Sequence, residues 1–240
     1  MHRFFVGQNL DIGGCVVQSV EFARQLRVVL KMRSGEVITL FCAGGNMGIG
    51  WDFLFRISKI GKSDVTGTIT EKIKNDREPK FSLTLYQAVL KKDNMDWVLQ
   101  KGTEVGVTKF VPVLTERSVK TRINMERAHK ITIEATEQSG RAVPPVVEPV
   151  INFEAALTAA KTEGVLVLAH EKEAVQKLDN LPLSSQKVSL FIGPEGGFSE
   201  EEVKQAEAAG CFVASLSRRV LRAETAAIAA SYYILHRFGY

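Results

Sequence analysis

The sequence is short of the features that would place it in several broad classes. It has three cysteines, Cys15, Cys42 and Cys211, with no C-x-x-C pair, and the odd number argues against a disulfide framework. Four separated histidines add no zinc-ligand spacing, so no structural metal is expected. No run of about 18 apolar residues occurs, which excludes a membrane-spanning helix. The N-terminal MHRFFVGQNLDIGG lacks the apolar stretch and small-residue cleavage site of a signal peptide, so a reduced, cytoplasmic protein is expected. Internal repeats and low-complexity tracts are also missing.

What remains is ordinary for a globular chain of 240 residues: 45% hydrophobic, 24% charged, with a formal net charge of +4. The excess charge is local. Residues 1–72 hold nine Lys/Arg against six Asp/Glu, whereas the rest holds 22 against 21. Arg3, Arg24, Arg27, Lys31 and Arg33 belong to this basic third, which suits either a phosphate-rich partner or a solvated basic face.

The pattern changes near residue 75. Before it come short β-type runs: RFFV, CVVQSVEF, RVVLKM, EVITLFC, WDFLFRISKI and VTGTITEKI. Turns at Gly13-Gly14, Ser34-Gly35, Gly44-Gly45-Asn46 and Gly61-Lys62 separate them, as in a small β-barrel or sandwich. The hydrophilic KNDREPK (74–80) reads as a linker between a domain over 1–73 and a second over 74–240. Beyond it, strands alternate with helices. FSLTLYQAVL, KFVPVL, GVLVLAH, VSLFIG and CFVASL read as strands, and Pro112 demotes KFVPVL toward an edge or a strand end. Helices are expected over 94–105, 124–139, 200–209 and 224–238. This alternation predicts an α/β fold with a mostly parallel sheet.

Ligands of such sheets bind beyond the carboxyl ends of the strands. One end reads FIGPEGGFSEEEV (191–203), where a strand, a glycine turn and an S-x-x-E capping box (Ser199 to Glu202) follow in order. That outline is a phosphate loop, but the lysine of G-x-x-x-x-G-K-[ST] is missing and the G-x-G-x-x-G spacing fails. Glu195, Glu200, Glu201 and Glu202 would repel a phosphate. A phosphate-free ligand with a neutral base and a positive centre fits better, as in S-adenosylmethionine. The three glutamates also serve a helix N-terminus on their own, and two glycines suggest backbone approaching a ligand. A second strand end, LSRRVLRAETAAIAASYYI (216–234), sets Arg218, Arg219 and Arg222 before a helix rich in small residues. The arginines suit phosphate or carboxylate, and the alanines suit core packing or a subunit contact.

With RFFV (3–6), DWVLQKGTEVGV (96–107), PVLTERSV (112–119) and EATEQSGRAVPPVV (134–147), these two motifs resemble the RsmE family. That family methylates N3 of a uridine, uridine 1498, in 16S ribosomal RNA of the small ribosomal subunit. The resemblance implies an N-terminal PUA-like RNA-binding barrel, a C-terminal SPOUT domain with a deep trefoil knot, and a homodimer. Knots are nearly absent from proteins, so periodicity alone leads to an ordinary doubly wound sheet.

By position, the resemblance places the S-adenosylmethionine pocket on Leu168, Ala169 and His170, on Ile192, Gly193, Pro194, Glu195, Gly196 and Gly197, and on Leu216, Ser217, Val220, Leu221, Arg222, Glu224 and Thr225. It implies RNA contacts from Arg3, Arg24, Arg27, Lys31 and Arg117. Two departures from the family pattern stand out: Lys31 ends a segment that usually reads V-L-R, and Ser217-Arg218 replaces a glycine and proline before R-V-L-R.

The uridine N3–H must lose its proton before or during attack on the methyl group. Arg222 and Arg141 are the candidates to stabilise the resulting anion, with Glu195 or Glu137 as base. Simpler roles stand beside these: a surface charge for Glu137, a helix C-terminal charge for Arg141, a helix cap for Glu224 or Thr225, and a loop position for His170. A non-catalytic RNA-binding or assembly protein is the alternative from another class.

Overall fold

A computed structural model describes residues 2–42, 50–91, 93–171, 176–182 and 185–239. The turn expected at Gly44-Gly45-Asn46 lies outside them. The chain forms two compact units, Met1–Glu78 with Thr136–Pro144, and Pro79–Ala135 with Pro145–Tyr240.

The first unit holds a five-stranded sheet of β1 (Arg3–Phe5), β2 (Gly13–Gln18), β3 (Val37–Phe41), β4 (Gly50–Ile60) and β5 (Asp64–Asn75). Their order is β1-β3-β4-β5-β2, antiparallel except for β1 beside β3. One face is buried through Phe4, Val17, Ile38, Leu40, Phe55 and Ile69. Gly67 is required where β5 crosses β4, because a Cβ there would lie 2.3 Å from the Arg56 carbonyl oxygen.

Two of the expected strands are helical in part: CVVQ of the first lies in β2, but its end and the start of RVVLKM are not strand. Residues 20–29 form α1 (Val20–Arg24) followed by one π-helical turn, Gln25–Val29. Ser19 Oγ accepts from Phe22 N at 3.2 Å and caps the start. Phe22, Ala23 and Leu26 then share one buried face, while Val20, Val28 and Val29 stay exposed. Cap and helical spacing together outweigh the β-propensity of the three valines.

The hydrophilic stretch at 74–80 is no plain linker either. Asn75 is buried, and Glu78 is paired with Arg141 with both side chains 6% exposed. Arg141 Nη2 reaches Glu78 Oε2 at 2.6 Å, and Glu78 Oε1 also accepts from Ala142 N at 2.8 Å and Val143 N at 3.2 Å. Asn75 Nδ2 donates to the Gly140 carbonyl at 3.1 Å. These bonds fasten 136–144 to the first unit.

The second unit is built on an eight-stranded sheet. Its strands are β6 (Ser82–Ala88), β7 (Lys109–Leu114), β8 (Val146–Val147), β9 (Ile151–Asn152), β10 (Val165–Ala169), β11 (Gln176–Lys177), β12 (Lys187–Ile192) and β13 (Phe212–Ser215). The order is β11-β13-β10-β12-β6-β7-β8, with β9 also on β7, and every pairing is parallel. Helices α2 (Asn94–Val105), α3 (Met125–Ser139), α4 (Phe153–Ala160), α5 (Glu200–Ala208) and α6 (Ala223–Phe238) accompany it. Both faces are covered: Val188, Leu190 and Ile192 join one core with α2 and α6, and Phe191 joins the other with α4. Continuous apolar strands are what such a sheet needs.

Elements β8, β9, α4 and β11 lie outside the predicted ones, and Pro112 predicts an edge or a strand end for β7. The structure sets β7 inside the sheet, with Pro112 opposite Gln87 of β6. The Phe110 carbonyl accepts from Glu148 N, so the missing N–H at 112, two residues on, faces that same outer side. There the outer neighbour breaks between β8, which ends opposite Phe110, and β9, which starts opposite Val113. Pro112 thus sits in the gap, where no ladder bond is lost.

Candidate active site

Because the sheet is parallel, β6, β10, β12 and β13 all end at one edge. A cavity of about 520 Å³ opens there, lined from each of these ends. Ala169, His170 and Glu171 follow β10, Ile192 to Glu195 with Gly197 and Phe198 follow β12, and Ser215 to Ser217 with Arg219 to Glu224 follow β13. Asn94 adds the start of α2 beyond β6.

Local bonds shape each loop. His170 N donates to the Ala214 carbonyl at 2.9 Å, joining the β10 end to β13. In the glycine loop, Gly197 N donates to the Pro194 carbonyl at 2.9 Å, and Gly197 adopts φ +68°. A Cβ on Gly193 would meet Phe198 at 3.2 Å. The positive φ favours glycine at 197 and Phe198 crowds a side chain at 193; both glycines also line the cavity, where the sequence predicts backbone close to a ligand.

The capping box is present as expected. Ser199 Oγ accepts from Glu202 N at 3.2 Å, and Glu202 Oε2 accepts from Ser199 N at 2.9 Å. Glu202 is buried and its other oxygen accepts from Glu116 N at 2.8 Å. Glu195 Oε1 accepts from Lys91 N at 3.0 Å, and Arg117 Nη1 donates to the Gly196 carbonyl at 2.8 Å. The glycine loop is thus braced by the segments that follow β6 and β7.

The third loop turns on Ser217. Its hydroxyl donates to the Arg219 carbonyl at 2.7 Å and accepts from Arg219 N at 3.0 Å. These two bonds close a serine turn at the position where the resemblance leads one to expect glycine and proline. Arg222 is the N-cap residue of α6 without a side-chain cap bond, and no partner for its guanidinium or that of Arg219 occurs among the described residues. Glu224, in the first turn of α6, has a buried Oε2 with no hydrogen-bond partner. Of the alanines behind it, Ala227 and Ala230 are buried in the core shared with α2, and Ala229 is exposed.

Most of the expected cofactor residues therefore meet in one place. Leu168, Gly196 and Thr225 do not line the cavity: Leu168 is fully buried in the core, and the other two are exposed. Asn94, Glu171, Phe198, Ser215, Arg219, Ala223 and Ala226 line it without having been singled out as cofactor contacts. Applying the carboxyl-end rule to β6 as well would have found Asn94.

Arg141 and Glu137 belong to the first unit. Arg141 holds the buried pair with Glu78, and Glu137 Oε1 accepts from Phe5 N at 2.8 Å. Among the expected RNA contacts, Arg3 is turned inward: Nη2 reaches Asp52 Oδ1 at 2.7 Å, and the guanidinium lies 3.6 Å from the Phe41 ring centroid. Arg24, Arg27, Lys31 and Arg117 are exposed, Arg27 donating to the Gly61 carbonyl and Arg117 to that of Gly196.

No cysteine lines the cavity. Burial pushes the Cys211 thiol up to about 12 and raises that of Cys15. Burial, followed by the charge of Glu163, likewise raises the Tyr86 hydroxyl. Among the described residues no three His, Cys, Asp or Glu side chains could hold a metal, and no helix is long and apolar enough to cross a membrane.

Comparison with known proteins agrees with this architecture. The model of the RNA methyltransferase domain matches residues 77–235. Ribosomal RNA small subunit methyltransferase E of Rickettsia conorii is 33% identical over 233 residues, covering 95% of this chain and 93% of that one. The chain belongs to the RsmE family. The Neisseria gonorrhoeae member bound to S-adenosyl methionine superposes with a TM-score of 0.91 at 33% identity, covering 100% of this chain and 98% of that one. A Legionella pneumophila protein, solved with the cofactor SAM, gives 0.88 at 31% identity, covering 98% of this chain and 97% of that one.

Proposed function

We propose that this RsmE-family chain is an S-adenosylmethionine-dependent methyltransferase that modifies N3 of one uridine, uridine 1498, in 16S ribosomal RNA. The observation that carries the reading is the cavity at four parallel strand ends, built from the glycine and arginine loops that hold the family's motifs. Its residues suit the cofactor: backbone groups of the three loops offer hydrogen bonds to an adenosine, and Glu224 presents a buried carboxylate oxygen without a partner. When bound there, S-adenosylmethionine supplies an electrophilic methyl group on a sulfonium.

The protein's share of the chemistry is positioning and charge. Arg222, exposed at the cavity mouth, stabilises negative charge as it develops on the uracil oxygens. Glu195 is the assigned proton acceptor. Its Oε1 is held by Lys91 N, which keeps the carboxylate aimed while Oε2 is left to meet the substrate. Arg141 and Glu137 enter as residues that build the first unit. By family resemblance we assign that unit as a PUA-like RNA-binding barrel, with Arg24, Arg27 and Lys31 as its exposed cations among the expected RNA contacts; Arg117 belongs to the second unit. The same resemblance supports a SPOUT trefoil knot in the second unit, a homodimer, a site of action on the small ribosomal subunit, and a cytoplasmic location.

Transfer of labelled methyl from S-adenosylmethionine to 16S rRNA tests the activity. Mass spectrometry of rRNA from a strain lacking the gene tests the target, and the expected result is loss of one N3-methyluridine. An unchanged methylation pattern would overturn the assignment.

A further inference from the structure

Glu224 stands apart from the other carboxylates at the cavity. Glu195 has Lys91 N as a partner, and Glu171 is exposed to solvent. Glu224 is half-buried, and its Oε2 is fully shielded yet accepts no hydrogen bond. Burying a carboxylate oxygen without a partner is unfavourable, and native structures keep few such groups unless something else satisfies them. The start of α6 eases the charge through its dipole, but it donates no hydrogen bond to this atom.

The other charges facing the cavity say which kind of ligand fits. Arg219 and Arg222 line it and are both exposed, so water screens them. The charge in the most shielded position is negative, and charges act more strongly where water is excluded. His170 is the remaining titratable group among the lining residues. Glu224 is thus the least exposed of the glutamate and arginine side chains lining the cavity, and its surroundings favour a cation.

We infer that Glu224 is the specificity residue for the cationic end of the cofactor, supplying the counter-charge to its ammonium or sulfonium group and nothing to the nucleoside. This rests on the cofactor assigned above. It predicts that the protein discriminates S-adenosylmethionine from neutral nucleosides of the same shape through one carboxylate.

The test is calorimetric titration of the purified full chain, wild type and Glu224→Gln, with three probes. These are S-adenosylmethionine, S-adenosylhomocysteine (which keeps the ammonium and loses the sulfonium) and 5′-methylthioadenosine (which is neutral). In Glu224→Gln the expected result is an affinity for S-adenosylmethionine lower by about tenfold or more, with 5′-methylthioadenosine within about twofold of wild type. Retained binding of the neutral probe also shows that the variant is folded. A parallel loss for S-adenosylhomocysteine assigns the contact to the ammonium, and an unaffected S-adenosylhomocysteine assigns it to the sulfonium. Equal weakening of all three probes, or no change in any, overturns the inference. Glu224→Asp keeps the charge, and its affinity for S-adenosylmethionine should exceed that of Glu224→Gln, with the reverse order counting against the proposal. If the wild type binds none of the probes, the cofactor assignment itself fails.

Discussion

Arginine and glutamate occur side by side in two regions of this chain, with opposite outcomes. In 136–144, with Arg3, Asp52 and Glu78, charges meet one another: Arg141 with Glu78, Arg3 with Asp52, and Glu137 with a backbone N–H. In the loop after β13 and the start of α6 they do not. Arg219 and Arg222 reach no partner among the described residues, and Glu224 keeps a bare oxygen. Buried charges that satisfy each other fix a segment in place. Charges left unmatched around a cavity are available to something that enters it. Residue type does not separate the two cases; the partners do.

Breaking one side of the comparison should damage stability, and breaking the other should damage transfer. Glu78→Ala would leave the Arg141 guanidinium buried and two backbone N–H groups without their acceptor. A loss of about 3–5 kcal/mol is expected, read as a lowered midpoint in urea unfolding. Arg222→Ala should do the reverse. Methyl transfer should fall by about a hundredfold or more with an unchanged unfolding midpoint, and a normal rate would remove Arg222 from the chemistry.

Glu195→Gln sharpens the boundary between holding and reacting. Glutamine still accepts from Lys91 N, so the loop keeps its brace while the base is lost. Transfer should drop by about a hundredfold at unchanged cofactor affinity; near-normal transfer would make Glu195 a loop brace alone. The smallest effect concerns Cys211, which burial affects without any charge partner being needed. Its thiol stays protonated in the folded state up to about 12, against 9.0 as the unperturbed value. Below pH 9 both states carry the proton and the contribution to stability is complete. As pH rises from there toward 12, the unfolded chain gives up its proton first and stability declines. Unfolding midpoints at about pH 8 and about pH 10 should show this decline in wild type and a smaller one in Cys211→Ala.

Much of the second unit was legible because long, strongly patterned segments decide themselves. The helix over 94–105 and the capping box at Ser199 fall where sequence reading placed them. Helix α4 was equally readable and was passed over: Asn152 Oδ1 caps it by accepting from Ala155 N, and Phe153, Ala156, Leu157 and Ala160 form its buried stripe. The helical turn at 20–29 was misread because valines dominate it, and only burial shows which residues set the face. At the site, the loops could be found because strand ends gather ligands. The fates of Arg141 and Arg3 could not, since each depends on a partner 63 or 49 residues away in sequence.

The gap beside Pro112 has a bearing on the life of the protein in a crowded solution. Among the described residues, a strand of two residues stands at each border of the large sheet, β11 at one side and β8 at the other. A long bare border would offer a row of open N–H and C=O groups to any extended chain nearby. Among the described residues that row is cut to stubs, which leaves little on which another molecule's strand could grow.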